Sequence, residues 1–503
     1  MYYRFLVLVL MGAAPALAAS CEGLNSLALP DTAITSAQPV SAGQFSPPAG
    51  RGGVPNAAYQ DLPAFCRVVA TLKPTSDSDI KIEVWMPAAG WNGKFQAVGN
   101  GGWAWSISYR ELGEALRRGY ATASTDTGHT GGSGQFALGH PEKLIDFGYR
   151  SEHEMTVKAK AIVSAFYGNA PRYSYWNGCS TGGRQGLKEA QRFPNDYDGI
   201  IAGAAANPRT HLSAGTLWIA AATLKDPASY IPKEKYAVIH RAALDACDGL
   251  DHVKDGVIED PTRCHFDPKV LECKGEDGPA CLTAPQVEAA RKIYTPVTSP
   301  RTGKAVFPAL EPGSEMGWGV LAGGPEAFAP IVDHFKNVVY KDPAWDWRTF
   351  DIDRDTARAD EVDDNTINAI DPHLQEFFGH GGKLLMYHGW SDQNVAPLAS
   401  VNYYQSVVET MGKGKTADSI RLFMAPGMAH CGGGDGPNKL ETVGALEQWI
   451  EKGKTPNQVI ASRLSNGAVE RTRPLCPYPQ VAQYKGSGST DDARNFVCKE
   501  ISK

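Results

Sequence analysis

The sequence predicts an α/β fold, because short apolar strands alternate along the chain with amphipathic helices. Its 503 residues are 42% hydrophobic and 21% charged, which is enough for a large buried core. The apolar runs end in Gly, Asp, Ser or His, as buried parallel strands do when they bring their loops to one edge of a sheet. These runs are KIEVWMP, KFQAVGNGG, ATASTDTG, RYSYWNGCS, YDGIIAGAA, KLLMYHGWSD and SIRLFMAPGMAH. The helical patterns between them are EHEMTVKAKAIVSAFYG, GRQGLKEAQRF, APLASVNYYQSVVETM and KLETVGALEQWIEKG.

The α/β alternation is interrupted by one long segment, residues 207–371. Cysteines, tryptophans and Asp-rich loops accumulate there, and the rhythm of strands stops. We therefore predict a core domain formed by residues 20–206 and 372–503, with residues 207–371 inserted as a lid domain. The formal net charge of -6 and the lack of a long basic run exclude the phosphate-neutralising surface that a nucleic-acid partner requires. The sequence leaves the oligomeric state open.

The first nineteen residues have the pattern of an export signal. A positive charge in MYYR precedes the apolar run FLVLVLMGAAPAL, and small residues follow at the cleavage positions. The run is too short to span a bilayer, and nothing later reaches about eighteen uninterrupted apolar residues. We therefore predict a signal peptide over residues 1–19, a secreted or periplasmic mature protein, and no membrane partner. Acylation of Cys21 would leave an odd thiol, so no lipid anchor is expected.

A serine between glycines directly follows the predicted strand RYSYW. Gly178, Ser180 and Gly182 in the stretch NGCSTGG have the spacing G-x-S-x-G and precede a helical pattern. This strand–turn–helix context is that of a nucleophile elbow, whose glycines permit a tight, strained turn. The motif alone is weak, and an ordinary glycine-rich turn is the alternative.

Two later strand ends favour the catalytic interpretation. Asp392 follows the strand KLLMYHG, and His430 follows the strand IRLFMA. The chain order Ser180, Asp392, His430 is that of the α/β-hydrolase triad. In such a triad His430 takes the proton from Ser180 and later protonates the leaving alcohol, while Asp392 orients the imidazole and stabilises its charged form. A purely structural His430 is the alternative, to be decided by geometry.

The ten cysteines have a particular meaning in an exported chain. An even number favours complete disulfide pairing, and the C-x-x-C spacing of zinc and redox sites does not occur. Cys179 precedes the proposed nucleophile and Cys431 follows the proposed base, so a working triad would bring the two within bridging distance. A disulfide there would hold serine and imidazole in register, where an error near one ångström costs about 100-fold in rate. The rival interpretation, Cys179 as nucleophile, needs a free thiolate in an oxidising compartment.

These motifs resemble those of a known enzyme family. GCSTGGRQG at 178–186, HGWSD at 388–392 and MAHC at 428–431 are similar to the tannase and feruloyl esterase family, which also contains mono(2-hydroxyethyl) terephthalate hydrolases. The resemblance covers nearly the whole mature chain. It implies an α/β-hydrolase core with a large inserted lid, hydrolysis of aromatic carboxylic esters, and Ser180, Asp392 and His430 as the triad. It also implies the disulfides Cys179–Cys431, Cys247–Cys264, Cys273–Cys281, Cys476–Cys498 and, by remainder, Cys21–Cys66.

The oxyanion of an ester hydrolase needs hydrogen-bond donors that point at the developing charge. The residue after the nucleophile supplies one, so we predict the backbone N–H of Thr181. The second is expected in the loop after the strand KFQAV, where the stretch GNGGW lets the backbone approach closely. Gly101 is the first choice and Gly102 the second, with a plain glycine turn as the alternative.

The inserted segment contains an acidic loop, CDGLDHVKDGVIED at 247–260. Carboxylates at this close spacing, with a glycine that permits a sharp turn, suit a hard cation that takes several oxygen ligands. The spacing departs from that of an EF-hand, and a solvated acidic loop is the alternative. The family resemblance implies a structural calcium ion in the lid and no organic cofactor. Its implied ligands are the side chains of Asp248, Asp251 and Asp255 and the carbonyl oxygens of Val253 and Val257.

The acyl group of the substrate is the least constrained feature. Five lid aromatics could stack on an aromatic acyl group, although such residues more often form a lid core: Trp318, Phe328, Phe335, Trp345 and Trp347. Thr181 is neutral where terephthalate-monoester enzymes of the family carry an acidic residue. We therefore predict a secreted feruloyl esterase that forms an acyl-enzyme on Ser180. The alternatives are a tannase, a terephthalate-monoester hydrolase, a serine carboxypeptidase-like peptidase and a non-enzymatic, calcium-dependent carbohydrate-binding or surface module.

Overall fold

The structure is a computed structural model that describes residues 18–48 and 56–500. Residues 1–17, which form most of the predicted signal peptide, lie outside the described residues. The described strands are β1 (Thr32–Val40), β2 (Phe65–Leu72), β3 (Ile80–Pro87), β4 (Lys94–Val98), β5 (Ala121–Thr125), β6 (Tyr173–Cys179), β7 (Gly199–Gly203), β8 (Val297–Thr298), β9 (Ala305–Phe307), β10 (Lys383–Gly389), β11 (Ile420–Ala425), β12 (Lys439–Leu440), β13 (Val459–Ser465), β14 (Ala468–Leu475), β15 (Gln480–Tyr484) and β16 (Phe496–Glu500).

The helices alternate with the strands of the core and fill the inserted segment. They are α1 (Tyr109–Arg117), α2 (Pro141–Ile145), α3 (Ser151–Tyr167), α4 (Thr181–Arg192), α5 (Arg209–Leu224), α6 (Tyr236–Cys247), α7 (Ala284–Ile293), α8 (Gly319–Ala322), α9 (Ala329–Asp333), α10 (Ile352–Asp363), α11 (Gln375–Gly379), α12 (Leu398–Met411), α13 (Lys413–Thr416) and α14 (Thr442–Lys452). Over the ranges that the structure describes, we find no helix with both the length and the apolar content needed to cross a membrane.

A central sheet of nine strands organises the core, in the order β1-β2-β3-β5-β4-β6-β7-β10-β11. The neighbours from β5 to β11 are parallel. Helices α3, α4 and α12 pack in the hydrophobic cluster on one face, and α1 and α14 contribute to a cluster on the other. The strands are buried on both faces for this reason, and the α/β prediction is confirmed.

One predicted strand direction is wrong. KIEVWMP, expected among the parallel strands, forms β3, which is antiparallel to both β2 and β5. Helices cover both faces here too, so every position of β3 except Lys81 is buried, and a short buried strand does not reveal its direction. The edge strand β1, its neighbour β2 and the C-terminal strands β12 to β16 were not predicted. The C-terminal strands form a three-stranded sheet and a hairpin outside the central sheet.

The segment between β7 and β10 builds a second hydrophobic cluster from α5, α6, α7 and the loops that follow. Four of the five lid aromatics are buried in this cluster: Trp318, Phe335, Trp345 and Trp347. They form the core of the lid, which was the alternative to a role in binding the acyl group. The nearest sheet boundaries are the end of β7 at Gly203 and the start of β10 at Lys383. The lid limits of 207 and 371 stay a prediction.

The ten cysteines form five disulfides, and these are the pairs that the resemblance implies. They are Cys21–Cys66, Cys179–Cys431, Cys247–Cys264, Cys273–Cys281 and Cys476–Cys498. Complete pairing is typical of proteins that fold in an oxidising compartment.

Candidate active site

Ser180 lies at the junction between β6 and α4, where the chain makes a strained turn. Its φ of 62° and ψ of -121° lie in a region that side-chain-bearing residues rarely adopt. Three backbone hydrogen bonds hold it: its N–H donates to the carbonyl of Gly203 (2.9 Å), and its carbonyl accepts from the N–H groups of Arg184 (3.0 Å) and Ala206 (3.1 Å). The turn therefore places the serine at the carboxyl edge of the parallel sheet, as the elbow motif predicts.

The motif glycines are required by space. A Cβ on Gly178 would lie 2.4 Å from the carbonyl oxygen of Gly182. A Cβ on Gly182 would lie 3.1 Å from both the carbonyl oxygen of Asn100 and the Cα of Gly99. The elbow and the loop after β4 thus meet backbone to backbone, which brings the predicted oxyanion loop next to Ser180.

Asp392 and His430 form a hydrogen-bonded pair at neighbouring strand ends. His430 Nδ1 lies 2.7 Å from Asp392 Oδ2, while Asp392 Oδ1 accepts the N–H groups of Asn394 (2.7 Å) and Val395 (2.9 Å). Burial alone would raise the pKa of this fully buried carboxyl, but the two histidines bonded to it hold the pKa well below its usual range. The ionised carboxylate accepts the Nδ1–H of His430, which leaves Nε2 as the base.

A second histidine, His388, contacts the same carboxylate oxygen, and sequence reasoning missed it. Its Nε2 lies 3.0 Å from Asp392 Oδ2 and 3.1 Å from the carbonyl of Val395, and its Nδ1 lies 2.7 Å from Ser400 Oγ. The ring is fully buried. A neutral ring satisfies all three contacts when Nε2–H donates and Nδ1 accepts. The only signal in the sequence was that His388 lies four residues before Asp392.

The disulfide Cys179–Cys431 joins the nucleophile strand to the histidine loop. Its Cα atoms are 6.0 Å apart, although the residues are separated by 252 positions in the chain. Cys431 has a φ of 60°, so both Ser180 and the residue after His430 adopt left-handed backbone. The disulfide therefore connects two conformations that ordinary local preferences disfavour.

Ser180 and His430 face a common cavity of 720 Å³. Thr181, Gly101 and Gly102 also line it, as do Cys179, Cys431 and Phe328. Within the described residues the serine hydroxyl makes no direct hydrogen bond to the imidazole, a contact that commonly tightens only with bound substrate. The structure thus brings Ser180, His430 and the predicted oxyanion residues to one cavity, with Asp392 buried and bonded to His430.

Hydrogen bonds of side chains and backbone fix the conformation of the predicted oxyanion loop. Asn100 Nδ2 donates to the carbonyls of Ser106 and Thr125, each at 2.8 Å, and the N–H of Gly182 donates to the carbonyl of Asn100 (2.8 Å). Thr181 Oγ1 donates to the carbonyl of Gly102 (2.7 Å). Thr181 is the first residue of α4, where a backbone N–H has no partner inside the helix. The role of that N–H as an oxyanion donor stays a prediction, as does the choice between Gly101 and Gly102.

The acidic loop of the lid is closed by the disulfide Cys247–Cys264 and folds around Asp248. Asp248 accepts the N–H groups of Asp255 (3.2 Å) and Gly256 (3.1 Å), and Asp251 accepts that of Val253 (3.0 Å). Asp255 is paired with Arg473, and Arg471 lies 3.5 Å from it. Sequence reasoning did not foresee these arginines, which come from β14.

The donors of this loop suit calcium, because carboxylate and carbonyl oxygens are the ligands that this hard cation prefers. Among the described residues, however, Asp248, Asp251 and Asp255 are not a group whose ligand atoms lie within 4.8 Å of one another. The three side chains alone therefore do not form a complete set of ligands, and an ion would also need the carbonyls of Val253 and Val257. The calcium site stays a prediction.

Comparison with known proteins accounts for this arrangement. The sequence model described as "Tannase and feruloyl esterase" matches residues 66–499. The chain belongs to the tannase and feruloyl esterase family. It is 40% identical to an uncharacterized esterase of Xanthomonas campestris pv. campestris, over 95% of this chain and 91% of that protein. It is 36% identical to a probable feruloyl esterase B-1 of Aspergillus flavus, over 86% of each chain.

A solved structure supports the fold as well as the family. The crystal structure of feruloyl esterase B from Aspergillus oryzae is similar with a TM-score of 0.90 and 30% identity, over 95% of this chain and 99% of that one. The predicted family and α/β-hydrolase fold are therefore confirmed. This family member is a carboxylic ester hydrolase, and an ester is its substrate.

Proposed function

We propose that this protein is a secreted serine esterase that hydrolyses hydroxycinnamoyl esters, feruloyl esters first among them, through an acyl-enzyme on Ser180. The observation that carries the proposal is the convergence of Ser180 and the Asp392–His430 pair on one cavity, with a disulfide beside both. Feruloyl esterase B among the similar proteins supports the acyl group. The export pattern of residues 1–19 and the five disulfides support secretion.

In the acylation half of the proposed reaction, Nε2 of His430 removes the proton from Ser180 as its oxygen attacks the ester carbonyl. Asp392 accepts the Nδ1–H bond and stabilises the imidazolium that forms. The negative oxygen of the tetrahedral intermediate is stabilised by the N–H of Thr181 and one from the loop at Gly101 or Gly102. The imidazolium then protonates the leaving alcohol as the carbon–oxygen bond breaks.

In the deacylation half, His430 removes a proton from a water molecule that attacks the acyl-enzyme at the same carbonyl. The same donors stabilise the second oxyanion, and the imidazolium returns the proton to Ser180 as the aromatic acid departs. The disulfide Cys179–Cys431 keeps nucleophile and base at a constant separation in both halves.

The calcium ion belongs to this proposal as a structural element. Asp248, Asp251 and Asp255, with the carbonyls of Val253 and Val257, would hold it in the lid. The ion supplies charge compensation to the acidic loop and takes no part in the steps above.

The test measures hydrolysis of methyl ferulate, methyl gallate, a terephthalate monoester and a peptide by the mature protein. We expect methyl ferulate to give the highest kcat/KM and Ser180→Ala to lose about 10⁴-fold or more in kcat. Ser164→Ala on α3 is the matched control, because its hydroxyl bonds only the Lys160 carbonyl. Mass spectrometry of a rapidly quenched reaction should find the feruloyl group on the peptide that contains Ser180.

Each of the other outcomes would replace part of the proposal. Fastest turnover of the gallate or terephthalate ester would select the corresponding alternative, and fastest turnover of the peptide would select a peptidase. A Ser180→Ala variant as active as the wild type would refute the assigned nucleophile, and inactivity on every ester would favour a binding module.

A further inference from the structure

One wall of the active-site cavity is formed by the lid and contains a single charged side chain. Arg209, the first residue of α5, lines the cavity there among Leu212, Phe328, Pro330 and Ile331. It is only 6% exposed. The other charged residues that line the cavity come from α1 and from the strand before α14, and they carry both signs: Arg110, Glu111, Glu114, Arg118 and Lys439. The lid wall is therefore apolar with one buried cation.

The buried positive charge of Arg209 is poorly compensated by neighbouring protein groups. Its guanidinium carbon lies 4.7 Å above the ring of Trp103, and Nη2 donates one long hydrogen bond of 3.4 Å to the carbonyl of Pro330. Its Nε is buried without a hydrogen-bond partner, and no carboxylate among the described residues lies within 4.0 Å of it. Burial, together with the nearby charge of Arg184, lowers the pKa of Arg209 to about 10.

The nearby Arg184 shows what a structural buried arginine looks like in this protein. It is 1% exposed and donates to the carbonyls of Gly148 (2.7 Å), Phe147 (3.1 Å) and Ile367 (3.2 Å). Nε lacks a partner in both arginines, but Arg209 makes one weak bond in place of the three that Arg184 makes. Because a desolvated cation costs free energy unless it is paired, the surplus donors of Arg209 point to a ligand in the cavity.

Arg209 is close to the reacting groups. The N–H of Ala206, three residues earlier, bonds to the carbonyl of Ser180, and Trp103 directly follows Gly101 and Gly102 of the oxyanion loop. Because Arg209, Ser180 and His430 line the same cavity, one substrate can contact Arg209 while it is attacked at Ser180. The apolar wall suits the acyl side of the ester, and the mixed charges of the α1 end suit a polar alcohol.

We propose that Arg209 binds an acidic oxygen carried by the aromatic ring of the acyl group, the phenolic oxygen of a 4-hydroxycinnamoyl ester. This inference rests on the proposed function. A guanidinium offers donors only, so its partner must accept hydrogen bonds, and an oxygen that is ionised or readily ionised gives the strongest pair. A ring carboxylate offers the same chemistry, and the experiment separates the two sources.

The experiment compares kcat/KM for methyl cinnamate and its 4-hydroxy, 4-methoxy and 4-carboxy derivatives, with wild type, Arg209→Gln and Arg209→Lys. The wild type is expected to prefer the 4-hydroxy ester over the 4-methoxy and unsubstituted esters by about tenfold or more, the value of a hydrogen bond to a charged group. Arg209→Gln should remove this preference, so that its kcat/KM falls about tenfold more for the 4-hydroxy ester than for methyl cinnamate. Arg209→Lys should keep part of the preference.

Arg348→Gln is the matched control. Its guanidinium carbon lies 4.8 Å over Trp347, much as Arg209 stacks on Trp103, but it is half exposed on the lid surface and paired with Glu326. This variant should keep the full preference. Should Arg209→Gln fail to fold, the wild-type ratio of kcat/KM for the 4-hydroxy ester to kcat/KM for the 4-methoxy ester still tests the proposal. Methylation removes the acidic proton of the phenol and changes the size of the substituent only slightly.

The outcomes distinguish this inference from the function on which it rests. No preference among the ring substituents by an enzyme that hydrolyses all four esters would overturn the role of Arg209 and leave the esterase proposal standing. A strong preference for the 4-carboxy ester would keep Arg209 as the anchor and replace the phenol by a carboxylate. Failure to hydrolyse any of the four, methyl cinnamate included, would contradict the proposed function itself.

Discussion

Removal of the disulfide Cys179–Cys431 should affect both stability and catalysis. We consider the double variant Cys179→Ala/Cys431→Ala, which leaves no unpaired thiol. The bond closes a loop of 252 residues, and the chain-entropy relation for such a loop gives about 5.5 kcal/mol of destabilisation. This is an upper figure, because four other disulfides already restrict the denatured chain. The catalytic loss should be about 100-fold in kcat, the cost of an ångström-scale error in position.

The assay separates the two effects. Urea unfolding followed by circular dichroism gives the free energy, and kcat is measured on methyl ferulate at a temperature where the spectrum shows the variant to be folded. The double variant Cys476→Ala/Cys498→Ala is the matched control, because its bond closes 22 residues, lies in the C-terminal strands and touches neither catalytic loop. It should lose about 3.4 kcal/mol and keep its kcat.

A folded double variant at positions 179 and 431 with wild-type kcat would refute the idea that the disulfide positions the base. Equal losses of kcat in the two double variants would refute it as well, because the effect would then follow stability alone. Retention of full stability would show that the denatured state gains no freedom when this bond is absent.

Four further predictions follow from the same geometry. His388→Leu removes a hydrogen-bond donor from the carboxylate that orients His430, so kcat on methyl ferulate should fall by about tenfold or more; an unchanged kcat contradicts the assigned contact. Burial alone would lower the pKa of His240, but its two carboxylate partners raise it to about 9, so the stability it adds is complete below its unfolded pKa near 6.5 and is lost as pH rises through 9. Urea titrations from pH 6 to 10 should show this loss in the wild type and not in His240→Phe. Gly178→Ala places a methyl group 2.4 Å from a carbonyl oxygen, so it should cost about 1–3 kcal/mol and most of the activity; wild-type thermal unfolding and turnover would contradict the elbow geometry. A calcium chelator should lower the unfolding temperature of the wild type and added calcium should restore it, whereas Asp251→Asn should lose this response; an unchanged melting curve would remove calcium from the lid.

Much of the core could be predicted because its strands leave strong local signals. The runs that became β4, β6, β10 and β11 are apolar and end in the residues that form the site, so both their existence and the edge to which they bring the triad followed from the sequence. The direction of β3 could not be predicted in this way, since the strand is buried almost throughout, as a parallel strand would be, although it pairs antiparallel with both neighbours. The hairpin β13–β14 mixes three arginines with apolar residues, and this mixture gives no clear period.

The residues of the site that were missed act through tertiary contacts. His388 is a strand residue like its neighbours until the fold brings Asp392 back onto its Nε2. Arg209 begins a helix, and its sequence neighbours do not show that it lacks a counter-ion. Arg473 enters the acidic loop from 218 residues away. Partners at such separations leave no local pattern. Ser180 could be predicted because the tight turn that holds it requires glycines two positions before and after it.

The lid is connected to the catalytic histidine loop as well as to the substrate cavity. His240 on α6 bridges the buried Glu315 of the lid (2.8 Å) and Asp435 of the histidine loop (3.2 Å). Gly317 of the lid packs against Gln393, whose Oε1 accepts the backbone N–H of His430 at 3.4 Å.

Wholesale opening of the lid would therefore break contacts that position the base. Substrate should enter through the existing mouth of the cavity, with the lid closed. The disulfide fixes the loop that carries His430 to the nucleophile strand, and the contacts of His240 and Gln393 fix the same loop to the lid. This loop is therefore constrained by two parts of the chain that are far apart in the sequence.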